Sequence, residues 1–278
     1  MAETNQVLPR LGIYGLTGCA GDQLAILNAE EALLEVVSGI DLVSFAMASS
    51  SERDDPVDIA LVEGSVCSVA DVQRLREVRG RARILVALGT CAVWGGIPAM
   101  VSHLPLEQLK LEVYGRVDVL PDAREAMPLS HFVDVDYAIP GCPVELGEVL
   151  ETLRVLLAGG RPRRMDYSVC SECRMAEQVC LVQSRGVVCC GPITMGGCKA
   201  RCVAFRQPCH GCRGPVDDPA WEATARVFSE RGMTKAQVIE SIKRYSAPAW
   251  VARHLAPRFR EDPLRQGRHP VSGGEGTS

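Results

Sequence analysis

The chain has 278 residues, 47% hydrophobic and 23% charged, with a formal net charge of −4, a composition that suits one large or two modest globular domains. The slightly acidic balance argues against a nucleic-acid partner, which calls for a basic face. No stretch reaches the roughly eighteen apolar residues of a membrane span, and the start, MAETNQVLPRLGIYGL, lacks both the basic and apolar regions of an export signal and a twin-arginine pair.

LGIYGL (11–16) reads as a short apolar strand running into a glycine-containing loop, and residues 22–38 carry apolar side chains at helical spacing. VDIALVEG (57–64) and ARILVALGT (82–90) are continuous apolar runs, as strands buried on both faces of a parallel sheet should be. VADVQRLREVRGRA (69–82) is a helix between them. FVDVDYAIPGCP (132–143) is an extended segment that stops at proline, and ELGEVLETLRVLLAGG (145–160) is a helix with a glycine stop. This alternation predicts an α/β domain over residues 1–165, a parallel sheet with helices on both faces. RPRRMDYS (161–168) marks a composition break, after which 169–216 are rich in Cys, Gly and Pro and show little periodicity. Such a segment needs an internal staple, which bound metal supplies. Residues 219–245 read as two short helices broken at Gly232, the second opened by a capping box from Thr234 to Gln237. The expected organisation is 1–165, 166–250 and a flexible tail over 251–278, which ends PVSGGEGTS.

Thirteen cysteines stand out, nine of them between Cys170 and Cys212. A disulfide framework needs an oxidising compartment; the odd count, the missing export signal and the apolar N-terminal half point instead to metal binding in a reducing cytosol. In open α/β sheets, sites form at the carboxyl ends of strands, and Cys19, Cys67, Cys91 and Cys142 all stand just past apolar strand-like segments. Further on, the spacing groups Cys170, Cys173, Cys180 and Cys189, then Cys198, Cys202, Cys209 and Cys212. Four thiolates hold either tetrahedral zinc or a cubane cluster, and spacing alone leaves both open. Gly and Pro crowd the ligands (CCGPITMGGC, QPCHGC), which frees backbone N–H groups for cluster sulfides and tilts the reading to iron–sulfur. Cys190 reads as a spare buried thiol, and His210 inside CHGC as a candidate path residue or simply a loop filler. No G-x-G-x-x-G opens a helix after a strand, and no Lys-Ser/Thr follows the glycine loops, so no nucleotide site is expected.

The stretch DYSVCSEC…CLVQSRGVVCCGPITMGGCKARC…PCHGCRGP, with WEATARVFSERGMTKAQVIESIKRY after it, resembles the small (delta) subunits of the cytoplasmic bidirectional NAD(P)-linked nickel–iron hydrogenases, also called sulfhydrogenases. LTGCAGDQLAIL, VDIALVEGS, ALGTCAVWGGIP and VDYAIPGCPVE match the same family and, more loosely, the cluster subunit of respiratory complex I. The resemblance spans residues 10–246. It implies a flavodoxin-like, doubly wound parallel sheet with a proximal 4Fe–4S cluster. A small irregular iron–sulfur domain with C-terminal helices follows, holding a medial and a distal cluster, so three 4Fe–4S clusters in all.

Carried over by motif, the distal cluster takes Cys170, Cys173, Cys180 and Cys189, with Cys170 where membrane-bound uptake relatives have histidine. The medial cluster takes Cys198, Cys202, Cys209 and Cys212; those relatives commonly have proline at the position of Cys202 and a 3Fe–4S cluster, so a cysteine here implies 4Fe–4S. The proximal cluster takes Cys19, Cys91 and Cys142. Its fourth ligand departs from the family motif Cys-x-Gly-Cys, because Asp22 stands in the second cysteine's place. A carboxylate ligates iron as a harder donor than thiolate, although Asp22 also reads simply as a helix N-terminal acid. Cys67 and Glu63, at another strand end, are the other candidates. The implied role is electron transfer, not hydrogen splitting: a cytoplasmic relay between the nickel–iron site of a large subunit and iron–sulfur and flavin/NAD(P)-binding subunits. Alternatives are another acceptor (F420, heterodisulfide reductase or sulfur) or a zinc-knuckle binding protein.

Overall fold

Along the N-terminal half the elements run β1 (Arg10–Gly15), α1 (Gly21–Leu27), β2 (Asp41–Phe45), β3 (Val57–Glu63), β4 (Val66–Ser68), α2 (Val69–Arg81), β5 (Ala82–Leu88) and α3 (Gly89–Trp94). They continue with α4 (Leu106–Tyr114), β6 (Ala123–Met127), β7 (Tyr137–Ile139) and α5 (Leu146–Leu157). The structure is a computed structural model describing residues 8–29, 39–50, 52–102, 104–234, 236, 237, 240, 241 and 243–245. The end of the helix expected over 22–38, parts of the second C-terminal helix and the tail expected over 251–278 lie outside the described residues. Among the described residues no helix is long and apolar enough to cross a membrane.

Five strands form one sheet in the order β2-β1-β3-β5-β7, and every pairing in it is parallel. The order reverses at β1, as in flavodoxin-type sheets. Side chains alternate along each strand. Leu11, Ile13, Ile59, Leu61, Val86 and Leu88 pack on one face against Ile26 of α1 and Val149, Leu153 and Leu156 of α5. Tyr14, Ala60, Val62, Leu85 and Ala87 pack on the other against Val72, Leu75 and Val78 of α2. Helices therefore cover both faces, as the apolar runs require. Ser68 caps α2 by accepting from the Asp71 N–H at 3.0 Å.

Several elements differ from expectation. The sequence pattern does not reveal β2, the antiparallel β4–β6 pair or α4. The extended segment 132–143 contains only three strand residues, β7. Beyond the composition break, the thiol-rich stretch carries short helices, α6 (Val169–Met175), α7 (Leu181–Arg185) and α8 (Arg201–Ala204), before α9 (Trp221–Glu230). A small core of Val169, Val182, Cys190, Ile193, Ala200 and Phe228 holds this part together. The expected capping box is present: Gln237 Oε1 accepts from the Thr234 N–H at 2.8 Å, and Thr234 Oγ1 accepts from the Gln237 N–H at 3.3 Å.

The thiol-rich part is fastened to the sheet through one buried arginine. Arg213 is 1% exposed. Its Nε donates to Gly196 O at 2.7 Å, Nη1 to Pro140 O at 2.6 Å, and Nη2 to Glu148 Oε1 at 2.9 Å. Trp94 Nε1 donates to Arg213 O at 3.0 Å, and Thr90 Oγ1 donates to Cys212 O. Thr90 also exchanges hydrogen bonds with Gly141, so the two loops beside Cys91 and Cys142 are tied to the segment that carries Cys212.

Candidate metal centres

The first site lies at the carboxyl ends of the parallel strands. Cys19 follows β1, Glu63 ends β3, Cys91 follows β5 within α3, and Cys142 follows β7. Burial pushes the Cys91 thiol up to about 11 and the Cys142 thiol up to about 12, and both feel the charges of Asp22, Cys19 and Glu63. Asp22 is 6% exposed. Its Oδ1 accepts from the Val144 N–H at 2.8 Å. Oδ2 lies directly over Gly89, where an added Cβ would collide with it. Burial raises the Asp22 carboxyl to about 7, the Val144 N–H opposes this, and the charge of Glu63 adds to it. Glu63, also buried, accepts from the Gln23 N–H at 3.2 Å.

Cys67 faces elsewhere. Its backbone N–H donates to Asp71 Oδ2 at 2.9 Å, and its sulfur lies 3.3 Å from Ser65 Oγ. It lines a cavity of about 380 Å³ with Pro98, Leu104, Leu109 and Arg124. Burial raises its thiol, and the one charge acting on it is that of Asp71. The structure thus gathers Cys19, Asp22, Glu63, Cys91 and Cys142, whereas Cys67 belongs to the β4–β6 pair and is coupled to Asp71.

The other two thiol sets follow in the C-terminal part. Cys170 is pushed up to about 12 by burial and by the charges of Cys189, Cys173 and Cys180. Gly191 cradles this set: an added Cβ there would stand 3.3 Å from Cys170 Sγ and 3.7 Å from Cys189 Sγ. Cys212 is pushed up to about 12 by burial and by the charge of Cys198, with Cys202 and Cys142 acting in the same sense. Burial raises Cys209 well above the ordinary thiol range, and Cys190, Cys189 and Cys212 add to it. Thiols this buried stay protonated unless a positive centre takes the proton's place, which is what ligated iron does.

The three sets touch one another at two places. The Cys142 backbone N–H lies close to the Cys212 thiol and opposes the rise in its pKa, joining the first set to the second. The Cys209 backbone N–H donates to Cys189 Sγ at 3.2 Å, joining the second to the third. Tyr245, which nothing in the sequence singles out, lies by the first junction: burial raises its hydroxyl, as do the charges of Cys142 and Cys212. Cys190 is fully buried among apolar neighbours, with its N–H on Cys209 O at 2.8 Å. His210 Nδ1 lies 3.3 Å from Arg244 Nη1; burial and that guanidinium lower its pKa.

Among the described residues, no group of three or more His, Cys, Asp or Glu is drawn in tightly enough to hold a single metal ion, a demand that a cluster, whose ligands bind separate irons, does not make. The thiol-rich donor sets, two of them of four cysteines each, the glycine cradle and the N–H groups aimed at sulfur fit iron–sulfur clusters.

Residues 19–156 match the family model described as NADH ubiquinone oxidoreductase, 20 Kd subunit. The chain is 36% identical over 209 residues to sulfhydrogenase 2 subunit delta of Pyrococcus furiosus, covering 75% of this chain and 87% of that one. It is 33% identical over 239 residues to a subunit of the F420-non-reducing hydrogenase vhu of Methanococcus voltae, covering 75% and 83%. Among solved structures, a chain of an NAD+-reducing [NiFe]-hydrogenase in the H2-reduced state is 30% identical, with a TM-score of 0.50, covering 56% of this chain and 94% of its own. The sheet order, the thiols at its carboxyl edge and these relatives agree: the chain belongs to the NADH ubiquinone oxidoreductase 20 Kd subunit family, as one of its hydrogenase small subunits.

Proposed function

We propose that the chain relays electrons in a cytoplasmic nickel–iron hydrogenase, between the nickel–iron site of a large subunit and a flavin/NAD(P) module reached through further iron–sulfur subunits. Bound iron–sulfur clusters supply the one-electron carriers. The chain supplies ligands, spacing and electrostatics: Cys19, Cys91 and Cys142 with Asp22 for a proximal cluster, Cys198, Cys202, Cys209 and Cys212 for a medial one, and Cys170, Cys173, Cys180 and Cys189 for a distal one. In this reading residues 1–165 hold the proximal site and 166–250 the other two. Asp22 is favoured over Cys67 as fourth ligand because the charge of its buried carboxyl acts on the Cys91 and Cys142 thiols; Glu63 is the second choice.

The observation that carries this reading is the continuity of the three sets. Backbone N–H groups of one set's ligands reach the thiols of the next, at Cys142–Cys212 and at Cys209–Cys189. A line of thiol sets joined in this way is what a stepwise relay needs and what independent zinc knuckles do not. Leu24 of α1 and, in the 3-10 turn that follows α3, Ile97 and Met100 are exposed, which supports a large subunit docking there over an apolar face. A second reading, an acceptor other than NAD(P), draws on the F420-non-reducing relative.

The test is metal analysis of the anaerobically purified complex. Three four-iron clusters give about twelve iron and twelve sulfide per chain, with visible absorbance bleached by dithionite. About eight iron, or stoichiometric zinc, overturns the three-cluster reading.

A further inference from the structure

In Cys170-Ser171-Glu172-Cys173 a carboxylate stands between two thiols, and the cluster assignment leaves it without a part. Glu172 belongs to α6, yet its side chain reaches the loop that carries Cys198. Oε1 accepts from the Gly197 N–H at 2.6 Å and from the Tyr167 hydroxyl at 3.3 Å. Oε2 accepts from the Ala200 N–H at 3.2 Å and lies 3.9 Å from Cys198 Sγ. The loop it holds is a difficult one: Lys199 at φ 54° and Ala200 at φ 50° both adopt left-handed backbone, which residues with a Cβ avoid. Neighbouring N–H groups in such a turn point inward and form a concave anion site. Here the anion comes from the helix that carries two thiols of the next set.

Resting on the cluster reading above, we propose that Glu172 is a positioning residue of the relay. It braces the Cys198 loop against the helix of Cys170 and Cys173, so the medial and distal sites keep one mutual placement. Its negative charge beside Cys198 disfavours the extra electron of a reduced medial cluster and so holds that cluster's potential down.

The test uses Glu172→Gln and Glu172→Ala in the intact complex, followed by metal content, electron paramagnetic resonance with redox titration, and amide exchange. Glu172→Gln keeps all the iron but shifts the medial potential upward, with the distal and proximal potentials unchanged; a purely structural role would not move the potential of one cluster alone. Glu172→Ala loses about one third of the iron and the medial signal while the distal signal stays. It also speeds exchange at the Gly197 and Ala200 amides by roughly tenfold or more, the factor of a lost charge-assisted hydrogen bond. The proposal is overturned if Glu172→Ala keeps the medial signal at its wild-type potential, or if the distal signal alone is lost. Zinc between Cys198 and Cys212 in the wild-type complex overturns the cluster reading instead; the bracing role then stands or falls on the amide exchange, which needs no iron.

Discussion

Replacing Arg213 by methionine isolates the joint between the sheet and the thiol-rich part. The guanidinium is buried and serves Gly196 O, Pro140 O and the Glu148 carboxylate. Its loss leaves a buried carboxylate without a counter-charge, which costs about 3–5 kcal/mol. Each orphaned carbonyl adds about 1 kcal/mol, and with overlap among these effects the total is about 4–6 kcal/mol. With a urea slope of about 3 kcal/mol/M, the unfolding midpoint falls by about 1.3–2 M. Pulse proteolysis of the small subunit within the assembled complex reads this directly. The double variant Arg213→Met with Glu148→Leu recovers most of the loss, because a buried ion pair exchanged for apolar side chains is close to neutral. Burial already pushes the Glu148 carboxyl up despite the opposing charge and hydrogen bond of Arg213. A carboxyl raised in the folded state contributes stability below its unfolded pKa and loses it as pH rises through the folded value. The deficit of Arg213→Met is therefore larger at neutral pH and shrinks in acid, where Glu148 is neutral. A single-variant shift below about 0.3 M, or a double variant no better than the single, refutes the reasoning.

Asp22→Cys restores the family motif, so it keeps a proximal cluster with a shifted potential, while Cys67→Ser leaves the proximal signal unchanged; electron paramagnetic resonance of the reduced complex showing the opposite ranking moves the fourth ligand to Cys67. Gly89→Ala must adopt φ 80° and drive its Cβ into the Asp22 carboxylate, a backbone cost of about 1–2 kcal/mol before the clash. It should lose the proximal signal first, and retention of all three signals counts against Asp22 as ligand. Cys190→Ala keeps full iron content and lowers stability by about 1 kcal/mol, measured by the same proteolysis; loss of a cluster makes Cys190 a ligand.

Long apolar runs make β1, β3 and β5 readable, because a strand buried on both faces admits few other residue types. DLVSF, which forms β2, is short and polar at its start, and its character comes from pairing with β1. LEQLKLEVY alternates apolar and polar residues through Leu109, Leu111 and Val113, a strand-like pattern, yet it forms α4 with no buried residue, ended by Gly115 in left-handed backbone. Motif spacing singles out the two groups of four thiols between Cys170 and Cys212 as candidate ligands, since ligand geometry constrains the interval between cysteines. It cannot tell which of Asp22, Glu63 and Cys67 share a pocket, because that depends on the β4–β6 pair carrying Cys67 aside. Glu172 and Arg213 are invisible in the sequence for a different reason. Each acts on main-chain atoms far away along the chain, and a charged residue among cysteines carries no mark of that. The left-handed turn at Lys199 and Ala200, with no glycine at either position, is the physical reason an acceptor is needed there.

Both junctions between thiol sets are made by main-chain amides, of Cys142 toward Cys212 and of Cys209 toward Cys189. No change of side chain removes a peptide N–H, save replacement by proline, and at these positions proline would also delete a thiol. The donor half of each junction is therefore insulated from point substitution, whereas the charges beside it are not. On the relay proposed above, drift in sequence retunes the energy of each step through residues such as Glu172 and Asp22 without lengthening the gap an electron must cross. A scaffold of this kind can be adapted to acceptors of different driving force while the path itself stays the same.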